Sequence, residues 1–214
     1  MNKLNLKDVT LFCIDDISPQ KAWAVIDSVC QNIEFGDVKL FSSRKEEYVT
    51  KIERPINSLR DYSAFIINDA HEYINTEFAM CVQRDGYPVN VGGWTDHFLR
   101  FDYIGAPWTW AASYQKGDCP VGRCVGNGGF SIRSKRLMEE TAKFNYGSNK
   151  RDFDDDEDVF ICRRKGVELE TKGLRFAPVE LASCFSVENG IYERQFGFHG
   201  KKTMQINQKL GIFK

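Results

Sequence analysis

VTLFCIDDISPQKAWAVIDSVCQNIEFGDVKLF, residues 9–41, is the stretch on which the fold turns. Val9 to Ile14 is a run of strand length, apolar apart from Thr10, which suits a strand buried on both faces. It stops at Asp15-Asp16, after which Ser18 can cap a helix and Pro19 fits its first position. Ala22, Trp23, Ile26, Val29, Cys30 and Ile33 then recur at helical spacing, and Gly36 is expected to close that helix. Val38 to Phe41 reads as a second strand. Strand, helix and strand in this order predict an α/β fold with a mostly parallel central sheet flanked by helices.

A second stretch, TEFAMCVQRDGYPVN (residues 76–90), places the chemistry. Phe78 to Val82 is another short buried strand, broken abruptly by Gln83-Arg84-Asp85-Gly86. A carboxylate just past the carboxyl end of such a strand lies where open α/β sheets bind ligands. Asp-Gly between two apolar runs is equally a hairpin signal, and that reading stays open here.

Between these stretches, Ser42 to Arg54 is polar and reads as an exposed connection. Asp61 is the expected cap of a helix carrying Tyr62, Phe65, Ile66, Ala70, Tyr73 and Ile74. Downstream, Trp94 and Phe98 suggest a short helix before Tyr103 to Trp108. The connection from Thr109 to Cys124 is long for a compact domain. Its Trp110 and Tyr114 could stack on a sugar ring or simply cover core. Gly126, Gly128 and Gly129 imply close backbone approach, but they are not a dinucleotide fingerprint opening a helix. Ser134 is a cap for the helix after them.

The acidic run DFDDDED, residues 152–158, leads straight into Val159-Phe160-Ile161-Cys162. Glu157 and Asp158 therefore stand at an edge between water and core, where a carboxylate can be aimed and partly desolvated. That helix is expected to end at Gly173, followed by a strand over Leu174 to Ala177 and a helix opening at Pro178. His199, in Phe196-Gly197-Phe198-His199-Gly200, has glycines beside it that leave room for a close neighbour. The remaining tail from Lys201 shows no clear pattern.

Composition narrows the function classes. A net charge of -1 with no concentrated basic face argues against nucleic acid. No apolar run reaches the length of a membrane span, and the opening MNKLNLKDVT does not read as a signal peptide. Seven cysteines, an odd number lying mostly in apolar runs, point to a reducing, cytoplasmic setting. A chain of 214 residues is expected to form one domain, burying about 70% of its extended-chain surface.

Taken in order, Q-x-D-G after a buried strand, Y-I-G-A-P-W, G-N-G-G-F-S-I-R-S, E-D-V-F, R-F-A-P and F-G-F-H-G resemble the glycosyltransferase-like family catalogued as DUF5672. The chain is also similar to the N-terminal glycosyltransferase domain of a large chlorella-virus protein, which implies a domain of a longer polypeptide. The resemblance implies a GT-A (Rossmann-like) nucleotide-sugar-binding fold. It further implies metal-dependent, inverting transfer of a hexose-type sugar from a UDP-sugar to a hydroxyl of a glycan or glycoprotein acceptor. By the same resemblance Asp85 matches the second acid of a D-x-D element, with Gln83 in place of the first. Asp158 matches the base, with Glu157 its substitute, and Gly128 and Gly129 match the acceptor loop. His199 matches a late histidine that joins Asp85 at Mn²⁺ (or Mg²⁺). Thr10 and Arg60 are the implied uridine and phosphate contacts. Two other readings stand beside it: a metal-dependent phosphoesterase, which would use the same acids without an acceptor loop, and a glycan-binding module without turnover, whose binding surface would be Trp108, Trp110 and Tyr114.

Overall fold

The computed structural model describes residues 3–108, 125–154 and 156–213. Six strands make the main sheet: β1 (Leu4–Ile14), β2 (Ile33–Ser42), β3 (Thr50–Lys51), β4 (Phe78–Cys81), β6 (Tyr103–Gly105) and β7 (Ser131–Ser134). Their order is β3-β2-β1-β4-β7-β6, and all run parallel except β7, which is antiparallel to both neighbours. A second, three-stranded sheet joins β5 (Gly86–Pro88), β9 (Gly197–His199) and β8 (Ser186–Glu188).

The opening unit folds as its pattern predicts, with two corrections. Helix α1 (Pro19–Cys30) buries Pro19, Ala22, Ile26 and Val29 on one face. Ser18 precedes it, but its side chain makes no capping bond; the Asp15 carboxylate accepts from the Ile17 and Ser18 amides at 2.8 and 2.7 Å instead. Gly36 does not end this helix. It lies inside β2, where a side chain would collide with the Lys7 carbonyl on β1, so close strand contact explains the glycine.

Helix α2 (Leu59–Ala64) starts at Ser58 rather than Asp61. The Ser58 hydroxyl accepts from the Asp61 amide, and the Asp61 carboxylate accepts back from the Ser58 hydroxyl and the Asn57 amide. The helix runs on through a π-helical turn (Phe65–Asp69) and a 3-10 turn (Ala70–Tyr73), and its buried Phe65, Ile66 and Ile67 belong to the core. Helix α3 (Lys135–Ala142) is capped by Ser134 as expected, whose hydroxyl accepts from the Leu137 amide at 3.0 Å.

The later half is less regular. Helix α4 (Glu157–Val159) passes through a π-helical turn (Phe160–Arg164) to α5 (Gly166–Thr171), which stops at Gly173 with φ +79°. The expected strand over Leu174 to Ala177 is reduced to one bridge, Phe176 beside Tyr103. Pro178 does open a helix, α6 (Val179–Phe185), and the tail forms α7 (Lys201–Lys209), which the sequence pattern did not suggest. Phe98, Phe130, Phe185 and Phe196 pack together beneath the small sheet, Phe130 and Phe185 stacked at 4.6 Å, and so tie it to the main one. The five described cysteines are all unpaired, and among the described residues no helix is long and apolar enough to cross a membrane.

Candidate active site

The chain winds from β1 outward to β2 and β3 on one side and to β4 on the other. That reversal makes a crevice at the carboxyl ends of β1 and β4, the place where such sheets bind ligands. A cavity of about 560 Å³ lies there, lined by Cys13 to Ile17 after β1 and by Gln83, Arg84 and Asp85 after β4. Its rim is finished by Asn57, Ser58, Leu59, Lys201 and Met204. The floor is rigid. Arg84 Nε donates to Asp15 Oδ2 at 2.7 Å, and the Asp16 carboxylate accepts from Ser42 Oγ and from the Ser43 and Ile56 amides. Partial burial pushes the Asp16 carboxyl up, but those hydrogen bonds outweigh it and hold it below its usual range.

Gln83 and Gly86 exchange backbone hydrogen bonds of 2.8 and 3.1 Å, so Q-R-D-G is both a strand end and a tight reversal. The two readings of this stretch are compatible. The reversal starts β5, which pairs antiparallel with β9, opposing Gly86 and His199. The Gly200 amide also donates to the Asp85 carbonyl at 2.7 Å. The small sheet thus carries His199 back to the Gln83–Asp85 turn across more than a hundred residues of chain. His199 Nε2 lies 3.2 Å from Gln83 Oε1, and Nδ1 lies 3.1 Å from Glu188 Oε1. A Cβ at Gly86 or at Gly129 would overlap the imidazole, so glycine is required at both positions for the ring to sit there.

Because β7 is antiparallel to β4, with Cys81 opposite Ser131, the glycines before β7 fall at the same edge of the sheet. There the Gly128 amide donates to Asp158 Oδ2 at 3.0 Å, while the Val159 amide donates to Asp158 Oδ1 at 2.7 Å. A second cavity of about 380 Å³ opens beside this contact, lined by Trp108, Asn127, Gly129, Asp156, Glu157, Asp158, Glu188 and His199, among others. Leu59, Tyr62 and Gln83 line both cavities, so the two adjoin. Burial, and then the adjacent Glu157 carboxylate, pushes the Asp158 carboxyl well above the usual range, against the pull of the two amides.

Glu157 is placed differently from its neighbour. It is 4% exposed, and its Oε1 accepts from Arg133, itself 1% exposed, at 2.9 Å. Its amide donates to Ser63 Oγ at 3.2 Å. Gly128 has no room for a side chain because Glu157 and Arg133 fill that space.

Gln83, Asp85, Gly128, Gly129, Glu157, Asp158 and His199 therefore come together around the two cavities. Thr10 does not join them. It is fully buried in the middle of β1, where its hydroxyl is 2.7 Å from that of Thr76, and it lines neither cavity. Arg60 is exposed on α2 next to Leu59. Trp110 and Tyr114 lie outside the described residues. The sequence reading did not single out Asp16, Asn127, Glu188 or Lys201. Asp16 and Asn127 stand in stretches whose pattern a strand end and a glycine loop already explain, while Glu188 and Lys201 lie in segments without a spacing signal.

Among the described residues, no three His, Cys, Asp or Glu side chains are gathered as a ready metal cage. The residues present suit an ion that takes its other ligands from substrate and water, as Mg²⁺ and Mn²⁺ sites often do. The Asp85 carboxylate has no protein partner among the described residues, and His199 is oriented through Nδ1 by a carboxylate, as metal-bound imidazoles are.

A family model described as "Protein of unknown function (DUF5672)" matches residues 47–199. A crystal structure of a glycosyltransferase involved in the glycosylation of the major capsid of PBCV-1 aligns with a TM-score of 0.52 and 14% sequence identity, covering 94% of this chain and 98% of that one. At that identity the likeness is one of fold. A crystal structure of a protein from STIV aligns over 78% of this chain and 79% of that one, with a TM-score of 0.39 and 14% identity, too slight a likeness to build on. No curated protein sequence matches the chain.

Proposed function

The chain belongs to the DUF5672 family, and from that footing we propose that it is a metal-dependent, inverting glycosyltransferase of the GT-A type. It moves a hexose-type sugar from a UDP-sugar to a hydroxyl of a glycan acceptor, such as a viral capsid glycan. The observation that carries this reading is the pair of adjoining cavities that share Gln83. One lies at the sheet's switch point beside the Asp85 carboxylate, and the other holds a carboxylate suited to take a proton.

In this reading the larger cavity takes the UDP moiety, its size being well within the range of ligand pockets. Asp85, His199 and Gln83 would hold Mn²⁺ or Mg²⁺, and the ion would supply positive charge against the departing diphosphate. Lys201, at the rim beside Asp85, adds a cation to the same end. The smaller cavity takes the acceptor, and Asp158 accepts the proton of its attacking hydroxyl. A carboxylate whose affinity for protons is raised is better matched to that task than an ordinary one. Glu157 is the poorer base, because its carboxylate is already committed to Arg133. Its role is to fix the start of α4, and hence the direction of Asp158. A base aimed into a cavity next to the nucleotide site favours turnover over a glycan-binding module, which has no use for one.

The test is calorimetry of UDP with Mn²⁺ and with EDTA, followed by a panel of UDP-sugars assayed for release of UDP. Binding that needs the metal and turnover of at least one sugar are expected. Equal UDP binding in EDTA refutes the role of the metal, and phosphate release from simple esters without sugar transfer would favour a phosphoesterase.

A further inference from the structure

His199 is held on both sides, and the two holds are not equivalent. Glu188 Oε1 lies 3.1 Å from Nδ1, and the same oxygen accepts from Asn127 Nδ2 at 2.9 Å. Glu188 is at the end of β8, directly opposite His199 of β9, so the sheet register sets this pairing. The Asn127 side-chain oxygen Oδ1 in turn accepts from the Phe130 amide at 3.4 Å, anchoring the relay to the glycine loop. On the other side Nε2 faces Gln83 Oε1 at 3.2 Å, while Gln83 Nε2 donates to Tyr62 Oη at 3.0 Å.

A carboxylate can only accept, so the neutral ring places its single N–H on Nδ1. Nε2 is then left with a lone pair pointing at a second oxygen lone pair. Two converging acceptors call for a partner between them or beside them. Whether that partner is a cation or the Gln83 amide turned about its own axis, Nε2 accepts. We infer that Glu188 is a positioning residue: by accepting a hydrogen bond from Nδ1–H of His199 it fixes the tautomer that presents Nε2 as a ligand, with Asn127 holding Glu188 in place. The glycines at 86 and 129 serve the same end, since they let backbone close around the ring and stop it turning. The ligand part of this inference rests on the reading in the previous subsection; the tautomer part does not.

The two parts are separated by experiment. The chain has three histidines, so His199 is assigned in nitrogen-detected NMR spectra by its loss in His199→Gln. With the ring neutral and metal absent, the wild type is expected to show the proton on Nδ1. Glu188→Gln is expected to shift the population towards Nε2–H, because a glutamine amide can donate to Nδ1. Glu188→Asp, which keeps a shortened carboxylate, should restore part of the wild-type signal. Mn²⁺ titrated into the same samples should broaden His199 in the wild type, with an affinity roughly 10–100-fold weaker in Glu188→Gln. A proton on Nε2 in the wild type, or a tautomer unmoved by Glu188→Gln, overturns the inference. An unchanged Mn²⁺ affinity in that variant overturns the ligand part. Absence of broadening in the wild type contradicts the metal reading of the site, and the tautomer signals then decide the role of Glu188 alone.

Discussion

Replacing Asp158 by Asn separates its chemical from its structural role, because the two effects run in opposite directions. The carboxylate accepts from the Gly128 and Val159 amides through different oxygens. Asn keeps one acceptor and turns an NH2 towards the other amide, leaving that donor unsatisfied, which costs about 1–3 kcal/mol. Against this, the variant removes a charge that burial and Glu157 make unfavourable. The sign follows from the direction of the shift. A carboxyl raised in the folded state contributes stability fully present below its unfolded value, and that contribution is lost as pH rises through the folded one. Wild-type Asp158 therefore weakens the fold towards neutral pH, and the variant does not share this loss. Relative to the wild type, the variant should therefore gain Tm as pH rises from acid to neutral. The rate goes the other way: loss of a positioned base lowers kcat by about 10²–10⁴-fold. Wild-type kcat should rise with pH through the raised Asp158 value, whereas the residual rate of the variant should lack that limb. Calorimetry across pH and a UDP-release assay measure both. An unaltered rate with an unaltered Tm would refute the placement of Asp158, and loss of donor binding would move it to the other cavity.

Asp85→Ala should abolish the Mn²⁺-dependent part of UDP binding in calorimetry, leaving the weak binding seen in EDTA the same for both proteins. Gly129→Ala drives a methyl group into His199 and Gln83, so Mn²⁺ affinity should fall and chemical denaturation should show a loss of about 1–3 kcal/mol. Glu157→Gln leaves the buried Arg133 charge without its counter-ion, and a loss of about 3–5 kcal/mol in the same denaturation experiment is expected. A small effect there would make Glu157 dispensable to the fold and reopen it as a base.

The parts of the fold that were readable are those where one local pattern decides. Val9 to Ile14 and Phe78 to Val82 are apolar on both faces because both strands lie inside the sheet, and α1 shows a clean buried stripe. Gly36 misled because glycine serves two purposes: here it admits the Lys7 carbonyl across a strand pair, not a helix end. The antiparallel β7 was hidden because orientation is a tertiary fact, yet it is what brings Gly128 to Asp158. The tail helix α7 is mostly polar, with Thr203 and Asn207 as its buried side chains, so no apolar period announced it. Of the site, Asp85 and Asp158 were legible as carboxylates at boundaries between apolar runs and loops. Glu188 was not, since its meaning comes from the strand register that puts it opposite His199. Thr10 looked available only because the sequence does not tell a buried strand hydroxyl from an exposed one.

The most direct measurement is the anomeric configuration of the product formed from a UDP-sugar in the presence of Mn²⁺, followed by proton NMR as the reaction proceeds. If, as proposed, the donor binds at Gln83 and Asp85 and the base is Asp158 across the shared wall of the two cavities, the first-formed product should carry the configuration opposite to that of the donor, and none should form in EDTA. A product that retains the donor's configuration, or turnover of equal rate without metal, would contradict the account.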